Sequence, residues 1–206
     1  MASIVFNGSP RGKKSNSSVI IGWYLEGRDV PVYYLNKTDH HREYISIIPG
    51  YDEMLVVFPL YVDGMPAQVK LFFEQMDTIR DKVSGTHVTW IIHSGFSEAV
   101  HSRTLKKYLE LFSKRMNFAS ARVIIIPGSE GFRLMPQKTL KKKSRAVSRL
   151  SDKDIKYLEG REKIGLAWKA GFYILSKLGL ANLYWDKQLK RNGVYGKRFE
   201  APYELK

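Results

Sequence analysis

Short apolar runs alternate with amphipathic stretches along the chain. Ser3-Ile4-Val5-Phe6 has the pattern of a buried strand and stops at Asn7-Gly8-Ser9-Pro10. Ser17 to Glu26 predicts a helix with Val19, Ile20 and Trp23 as its apolar stripe. Val30 to Leu35 reads as a second strand, and Asn36 to Glu43 is polar without a period. Met54 to Phe58 is a third strand, ended by Pro59. Pro66 to Thr78 is helical by pattern: Val69, Phe72, Phe73 and Met76 recur at spacings of three and four, and Pro66 suits the first turn. His87 to His93 is a fourth strand, Thr104 to Met116 a further helix, and Ala121 to Ile126 a fifth strand. Asp152 to Leu180 is a long helical region with a break near Gly160.

Strands apolar on both faces, alternating with helices, imply a parallel sheet covered on both sides. Five of them ending at Ile126 predict an α/β fold, a doubly wound, flavodoxin-like, five-stranded parallel sheet. Right-handed crossovers then place a ligand outside the carboxyl ends of the strands. The expectation is one domain over 1–206. Pro127 to Lys153 is long for a connection and reads as a basic insertion or lid, followed by a C-terminal helical extension.

Composition narrows the chemistry. The 206 residues hold 34 basic and 20 acidic side chains, a formal charge of +14, which favours anionic partners. There is no cysteine, so disulfides, thiolate nucleophiles, thiolate zinc sites and iron–sulfur clusters are excluded. Met1-Ala2-Ser3-Ile4 enters a strand pattern at once, without the basic and apolar segments of a secretory leader. Lys169 and Lys177 interrupt the most apolar stretch, Ile164 to Trp185, so no membrane span is expected and the location is read as cytoplasmic.

The segments after the strands are the places to look for function. Asn7 to Ser18 leaves a strand and enters a helix. Gly8 allows close backbone approach, Ser9, Ser15, Asn16 and Ser17 offer hydrogen bonds, and Arg11 a charge-assisted contact. With the free N–H groups of the helix start these describe a phosphate cradle. A basic turn with capping serines is the alternative. The pattern G-x-x-x-x-G-K-[ST] is missed by one residue, and G-x-G-x-x-G is absent. The second segment, Phe58 to Pro66, sets Pro59, Leu60, Tyr61, Val62, Asp63 and Gly64 beside exposed backbone groups, as a planar heteroaromatic ring requires. An ordinary connection with a buried tyrosine fits equally. The third, His93-Ser94-Gly95-Phe96-Ser97-Glu98, offers small residues for close approach and lacks the second glycine of a nucleophile elbow.

On Gly8-Ser9-Pro10-Arg11 with Ser15-Asn16-Ser17, Pro59 to Asp63 with Met65-Pro66 and Lys70, and Ser94-Gly95-Phe96, the chain resembles the flavodoxin-like NAD(P)H-dependent FMN reductases over about Ser3 to Gly131. The resemblance implies an FMN-binding oxidoreductase that draws electrons from NAD(P)H. Ser9, Arg11, Ser15, Asn16 and Ser17 would hold the FMN phosphate. Pro59 to Gly64 would line the ring, with Tyr61 against it, and Ser94, Gly95 and Phe96 would flank its opposite part. Relatives of this kind are commonly homo-oligomers. Members with iron–sulfur clusters carry a cysteine cluster that this chain lacks. Since the flavin performs the electron chemistry, no residue is named as catalytic. The surplus of Arg and Lys favours NADPH over NADH. The alternatives are an electron carrier without reductase activity and a basic anion- or nucleic-acid-binding module on the same scaffold.

Other features have plainer readings. Asp39-His40-His41 lacks metal-ligand spacing and reads as a solvated loop, and no metal site is expected. Glu98 with His101 reads as a surface pair. His93 fits a core histidine as well as a ring contact. The run from Lys138 through Lys141, Lys142, Lys143 and Arg145 to Arg149 has no interleaved aromatics, which favours a solvated face or nucleotide surface over a nucleic-acid arm. Ile164, Trp168, Phe172, Leu175 and Leu178 form a helical stripe that covers the sheet. Leu166, Tyr173 and Leu180 leave a second apolar face, which suits a subunit interface, with membrane-surface contact as the lesser alternative. Asp186 to Lys206 shows no period.

Overall fold

The strands β1 (Ser3–Asn7), β2 (Val32–Tyr34), β3 (Glu53–Pro59), β4 (His87–His93) and β5 (Ser120–Ile126) form one all-parallel sheet in the order β2-β1-β3-β4-β5. This is the flavodoxin-like order, with its switch point between β1 and β3. The computed structural model describes residues 1–197, the side chains of Arg133, Leu134, Trp168, Phe172, Leu180, Ala181 and Tyr184 excepted.

Alternate side chains of each strand point to opposite faces, and this sorts the core into two layers. Ile4, Phe6, Met54, Val56, Phe58, Trp90 and Ile92 pack on one side with α2 (His41–Ile47), α3 (Ala67–Met76) and α4 (Arg103–Arg115). Val5, Leu55, Val57, Ile91, Ile124 and Ile126 pack on the other with α1 (Asn16–Leu25), α5 (Gln137–Arg149) and α6 (Asp152–Glu159). Burial on both faces explains the unbroken apolar runs of the central strands.

The α1 stripe differs from expectation. Ser17, Ile20 and Ile21 face inward, Val19 is exposed, and Trp23 is half-buried against Phe132 with centroids 5.0 Å apart. The buried partner of Ser17 rotates the helix away from the purely apolar reading. The polar stretch before β3 is also not a solvated loop. His41, Tyr44, Ile45 and Ile48 fall at i, i+3, i+4 and i+7 on the inner side of α2 and its 3-10 continuation, and His41 is fully buried with Nε2 donating to the Leu35 carbonyl at 2.8 Å.

Most of the segment 127–153 is a helix packed on the core. Helix α5 lies against α1 and sends Ala146, Val147 and, at its C-cap, Leu150 into the second core layer. It is the covering helix that follows β5. Gly160, at φ 63, ends α6 where the break was expected.

The chain divides into two compact units, Met1–Lys163 and the part from Ile164 onward, where the sequence reading counts one domain with an extension. The second unit is a helical hairpin of α7 (Leu166–Lys177) and α8 (Leu180–Arg191) turning at Gly179, so part of the stretch after Asp186 is helical. Leu175 and Leu178 are exposed, whereas the expected stripe through Trp168 and Phe172 lies outside the described side chains. No helix among the described residues is long and apolar enough to cross a membrane.

Gly8 sits where the β1 loop crosses β3 and α3. A Cβ there would lie 2.6 Å from Val69 Cγ2 and 2.7 Å from Phe58 Cβ. Gly8→Ala is therefore expected to cost about 1–3 kcal/mol through overpacking. Thermal unfolding followed by circular dichroism reads this as a drop of several degrees in Tm; an unchanged Tm contradicts the packing.

Candidate functional site

The carboxyl ends of β1, β3, β4 and β5 converge on one cleft. It is lined by Ser9, Arg11, Ser15, Asn16, Pro59, Leu60, Tyr61, Ser94 and Gly95 from the three expected segments, and by His93, Ser129 and Glu130. Enclosed space is small, about 40 Å³. The remaining expected residues stand elsewhere. Ser17 lies fully buried beneath the cleft; Val62 and Asp63 form the tip of a turn closed by Gly64, and Phe96 is a half-exposed residue at the rim.

The first loop is organised by its own side chains. Asn7 Oδ1 accepts from the Ser9 N–H at 2.9 Å, and Asn7 Nδ2 donates to Ser18 Oγ at 2.9 Å. Ser15 caps α1: its Oγ accepts from the Ser18 N–H at 3.2 Å and donates to the Gly12 carbonyl at 2.6 Å. Gly12, at φ 54, allows the reversal that aims the chain into the helix. Among the described residues, the N–H groups of Lys13, Ser15, Asn16 and Ser17 find no protein acceptor. They sit beside the positive end of α1, where Arg11 is exposed and makes no ion pair among the described residues. Such a donor set, rich in unused N–H groups and lacking a carboxylate on its own loop, fits a phosphate.

His93 joins this loop to two others. Its Nε2 lies 2.7 Å from Ser17 Oγ, its Nδ1 3.0 Å from Ser129 Oγ, and Ser129 Oγ donates to the Ser94 carbonyl at 2.9 Å. Since the Ser129 proton goes to Ser94, Ser129 accepts from Nδ1–H, and Nε2 accepts from the Ser17 hydroxyl. Burial lowers the His93 pKa from 6.5 to about 3, so the ring is neutral near pH 7. The Ser17 hydroxyl is thereby spent on His93, a correction to its expected place among the phosphate-binding side chains; only its N–H faces that task. His93 itself is a satisfied buried histidine. Asn16 Nδ2 adds a bond to the Ser129 carbonyl at 3.1 Å, and Leu60 N–H one to the His93 carbonyl at 2.7 Å.

The rim is built differently. Tyr61 and Gly64 exchange two backbone bonds of 2.9 Å across a tight turn whose middle residues, Val62 and Asp63, have φ of 46° and 58°. A β-branched residue is strained there, and the Val62 side chain is fully exposed. Tyr61 is 44% exposed rather than buried, which disfavours the plain-connection reading of this segment. Phe96 is 50% exposed and stacks on His101 with centroids 4.2 Å apart; His101 lies 4.0 Å from both Glu98 and Asp63. Exposed Tyr61, Val62 and Phe96 thus flank a shallow edge where a flat ring can rest.

Sequence reasoning missed Ser129 and Glu130. Pro127-Gly128-Ser129 follows β5, and the strand-end rule pointed there as surely as to the other loops. Gly128, at φ 71, donates to the Phe96 carbonyl at 2.6 Å and brings Ser129 onto His93. Among the described residues no group of three or more His, Asp or Glu could hold a metal ion.

No family model and no curated protein matches the chain. Solved structures do. It is similar to the Trp repressor binding protein from Bacillus subtilis at 21% identity and TM-score 0.57, over 72% of this chain and 96% of that one. It is similar to an NADPH-quinone reductase from P. pentosaceus at 15% identity and TM-score 0.59, over 77% and 98%. An FMN-dependent NADH-azoreductase from Bacillus anthracis, solved in complex with FMN, aligns at 14% identity and TM-score 0.52, over 74% and 100%. These likenesses establish the flavodoxin-like fold.

Two outcomes follow from the geometry. Between pH 6.5 and about 3 the unfolded chain binds a proton that folded His93 refuses, so stability falls with pH in this window, at up to about 1.4 kcal/mol per pH unit. Denaturant unfolding from pH 7 to 4.5 should show the gap between wild type and His93→Gln closing as pH falls; parallel profiles contradict a neutral buried ring. Val62→Gly relieves the strained turn and is expected to stabilise by about 1 kcal/mol, raising Tm by about 2–4 °C. A lowered Tm in scanning calorimetry contradicts the strain.

Proposed function

We propose that this protein is an FMN-binding oxidoreductase that draws electrons from NAD(P)H and delivers them to a further acceptor. The observation that carries the reading is the set of unpaired N–H groups of Lys13, Ser15, Asn16 and Ser17, gathered at the start of α1 beneath the rim of Tyr61, Val62 and Phe96. Two of the solved neighbours support it, because they share the fold and are an NADPH-quinone reductase and an FMN-dependent NADH-azoreductase.

In this reading the N–H groups of Lys13, Ser15, Asn16 and Ser17 hold the phosphate together with the Ser9, Asn16 and Arg11 side chains, while the Ser15 hydroxyl, like that of Ser17, is spent within the fold. Pro59 and Leu60, both buried, fix the base of the ring edge. Tyr61, Val62, Asp63 and Gly64 form one wall, and Ser94, Gly95 and Phe96 the other. A Cβ at Gly95 would come within 3.0 Å of Glu130 Cγ, so glycine keeps this wall low. The 40 Å³ cleft is too small to enclose a tricyclic ring, which would rest on the open edge instead. FMN held there would supply the redox chemistry between reduced nicotinamide and an acceptor. Neutral His93 is buried with both nitrogens engaged, so its role is to hold the loops and not to transfer protons.

The reading includes a cytoplasmic homodimer. It is supported by the exposed Leu166, Tyr173, Ile174, Leu178 and Leu183 of the C-terminal hairpin, apolar surface of the kind that a second copy covers.

Purified protein is expected to quench FMN fluorescence at low salt and to bleach the bound flavin when NADPH is added without oxygen. Arg11→Ala should weaken FMN binding about tenfold, the loss of one charge-assisted contact. FMN left unbound by micromolar protein contradicts the function, and a bound flavin that reduced nicotinamide leaves oxidised makes the chain a carrier instead.

A further inference from the structure

We propose that the groove between α1 and α5 is a second anion site, which takes the phosphorylated adenosine end of the reduced nicotinamide nucleotide. The identity of that nucleotide rests on the function proposed above; the groove stands on its own geometry. It has a volume of about 900 Å³, against 40 Å³ for the cleft, and Ser15 and Asn16 line both, so the two adjoin at the start of α1. Volumes of roughly 300–1,000 Å³ are those of small-molecule sites.

Its walls are cationic and aromatic. Lys14 enters from the loop before α1, Lys141 and Arg145 from α5, and Trp23, with Phe132 beside it, supplies an apolar wall, whereas the ammonium of Lys13 stands 5.8 Å from the Tyr34 ring centre. Helix α5 carries no acidic residue between Gln137 and Arg149. Lys141 and Arg145 are four apart, on one edge, where like charges repel. Neither they nor Lys14 has a carboxylate partner among the described residues.

The rest of the basic run is used differently. Lys142 lies 4.3 Å and Lys143 5.8 Å from the centre of the Tyr157 ring on α6, and Lys143 is half-buried. The run is therefore divided: its middle pair packs against α6, while Lys141 and Arg145 face open space. Glu26, the one acid on the groove wall, caps the far end of α1, whereas the cations of the loop stand at its positive end. This polarity places a phosphate near Lys14, Lys141 and Arg145, with guanidinium and ammonium donors for its oxygens, and a base against Trp23. A single inorganic anion would leave the aromatic wall unused.

The test is calorimetric titration of the chain, with and without FMN, using adenosine 2′,5′-bisphosphate, adenosine 5′-monophosphate and inorganic phosphate as probes. The bisphosphate is expected to bind most tightly and inorganic phosphate most weakly. K141Q/R145Q should weaken the bisphosphate about tenfold or more and leave FMN affinity unchanged. It should also raise KM for NADPH more than for NADH. Trp23→Phe should weaken both adenosine probes and leave inorganic phosphate unaffected. Wild-type affinity in K141Q/R145Q overturns the proposal, as does inorganic phosphate binding as tightly as the bisphosphate. Loss of FMN binding alone, with bisphosphate still bound, overturns the proposed function and not the groove.

Discussion

The buried imidazole of His93 is the contact on which the candidate site depends. It accepts from Ser17 on α1 and donates to Ser129 after β5, while Ser129 passes its own proton to the Ser94 carbonyl. One neutral ring thus ties three loops from different parts of the sequence. A buried charged ring would require a counter-ion, and no carboxylate is hydrogen-bonded to it. The arrangement works because both nitrogens are used and the ring stays unprotonated. The loop after β1 is consequently held from below by side chains, which leaves its backbone N–H groups free of protein acceptors among the described residues.

The same logic separates support from binding. Asn7, Ser15 and Ser18 hydrogen-bond within the loop and fix its shape. Gly8 permits the loop to lie on Phe58 and Val69. What remains free are N–H groups, the Arg11 side chain and the exposed rim aromatics. The Val62–Asp63 turn holds two non-glycine residues in left-handed backbone, and strain of this kind persists where the surrounding structure enforces it. Rigid underpinning with unused donors above it is a sound basis for anion binding, because the ordering cost is met during folding.

Much of the fold was legible because both faces of the sheet are covered. Ile4 to Phe6, Met54 to Phe58 and Val123 to Ile126 stand out as strands because both of their faces are buried. The loops were legible by topology: a parallel sheet directs function to its strand ends. The α2 helix was not, because its inner side includes His41, a residue that counts as polar until its hydrogen bond to Leu35 is seen. The inward turn of Ser17 was hidden for the same reason; its partner lies 76 residues away. Helix α5 looked like an insertion because its charges dominate its composition, while few apolar side chains, Leu140, Ala146, Val147 and the capping Leu150, anchor it. Short-range pattern captures burial by apolar side chains and overlooks burial by paired polar ones.

Nitrogen-15 NMR of the ring and the loop amides, recorded with and without FMN, tests the account most directly. His93 should hold the Nδ1–H neutral tautomer from pH 7 down to pH 4.5, and FMN should shift the amides of Lys13, Ser15, Asn16 and Ser17 while leaving the ring signals in place. A His93 ring that titrates near pH 6.5, or loop amides that do not respond to FMN, would contradict it.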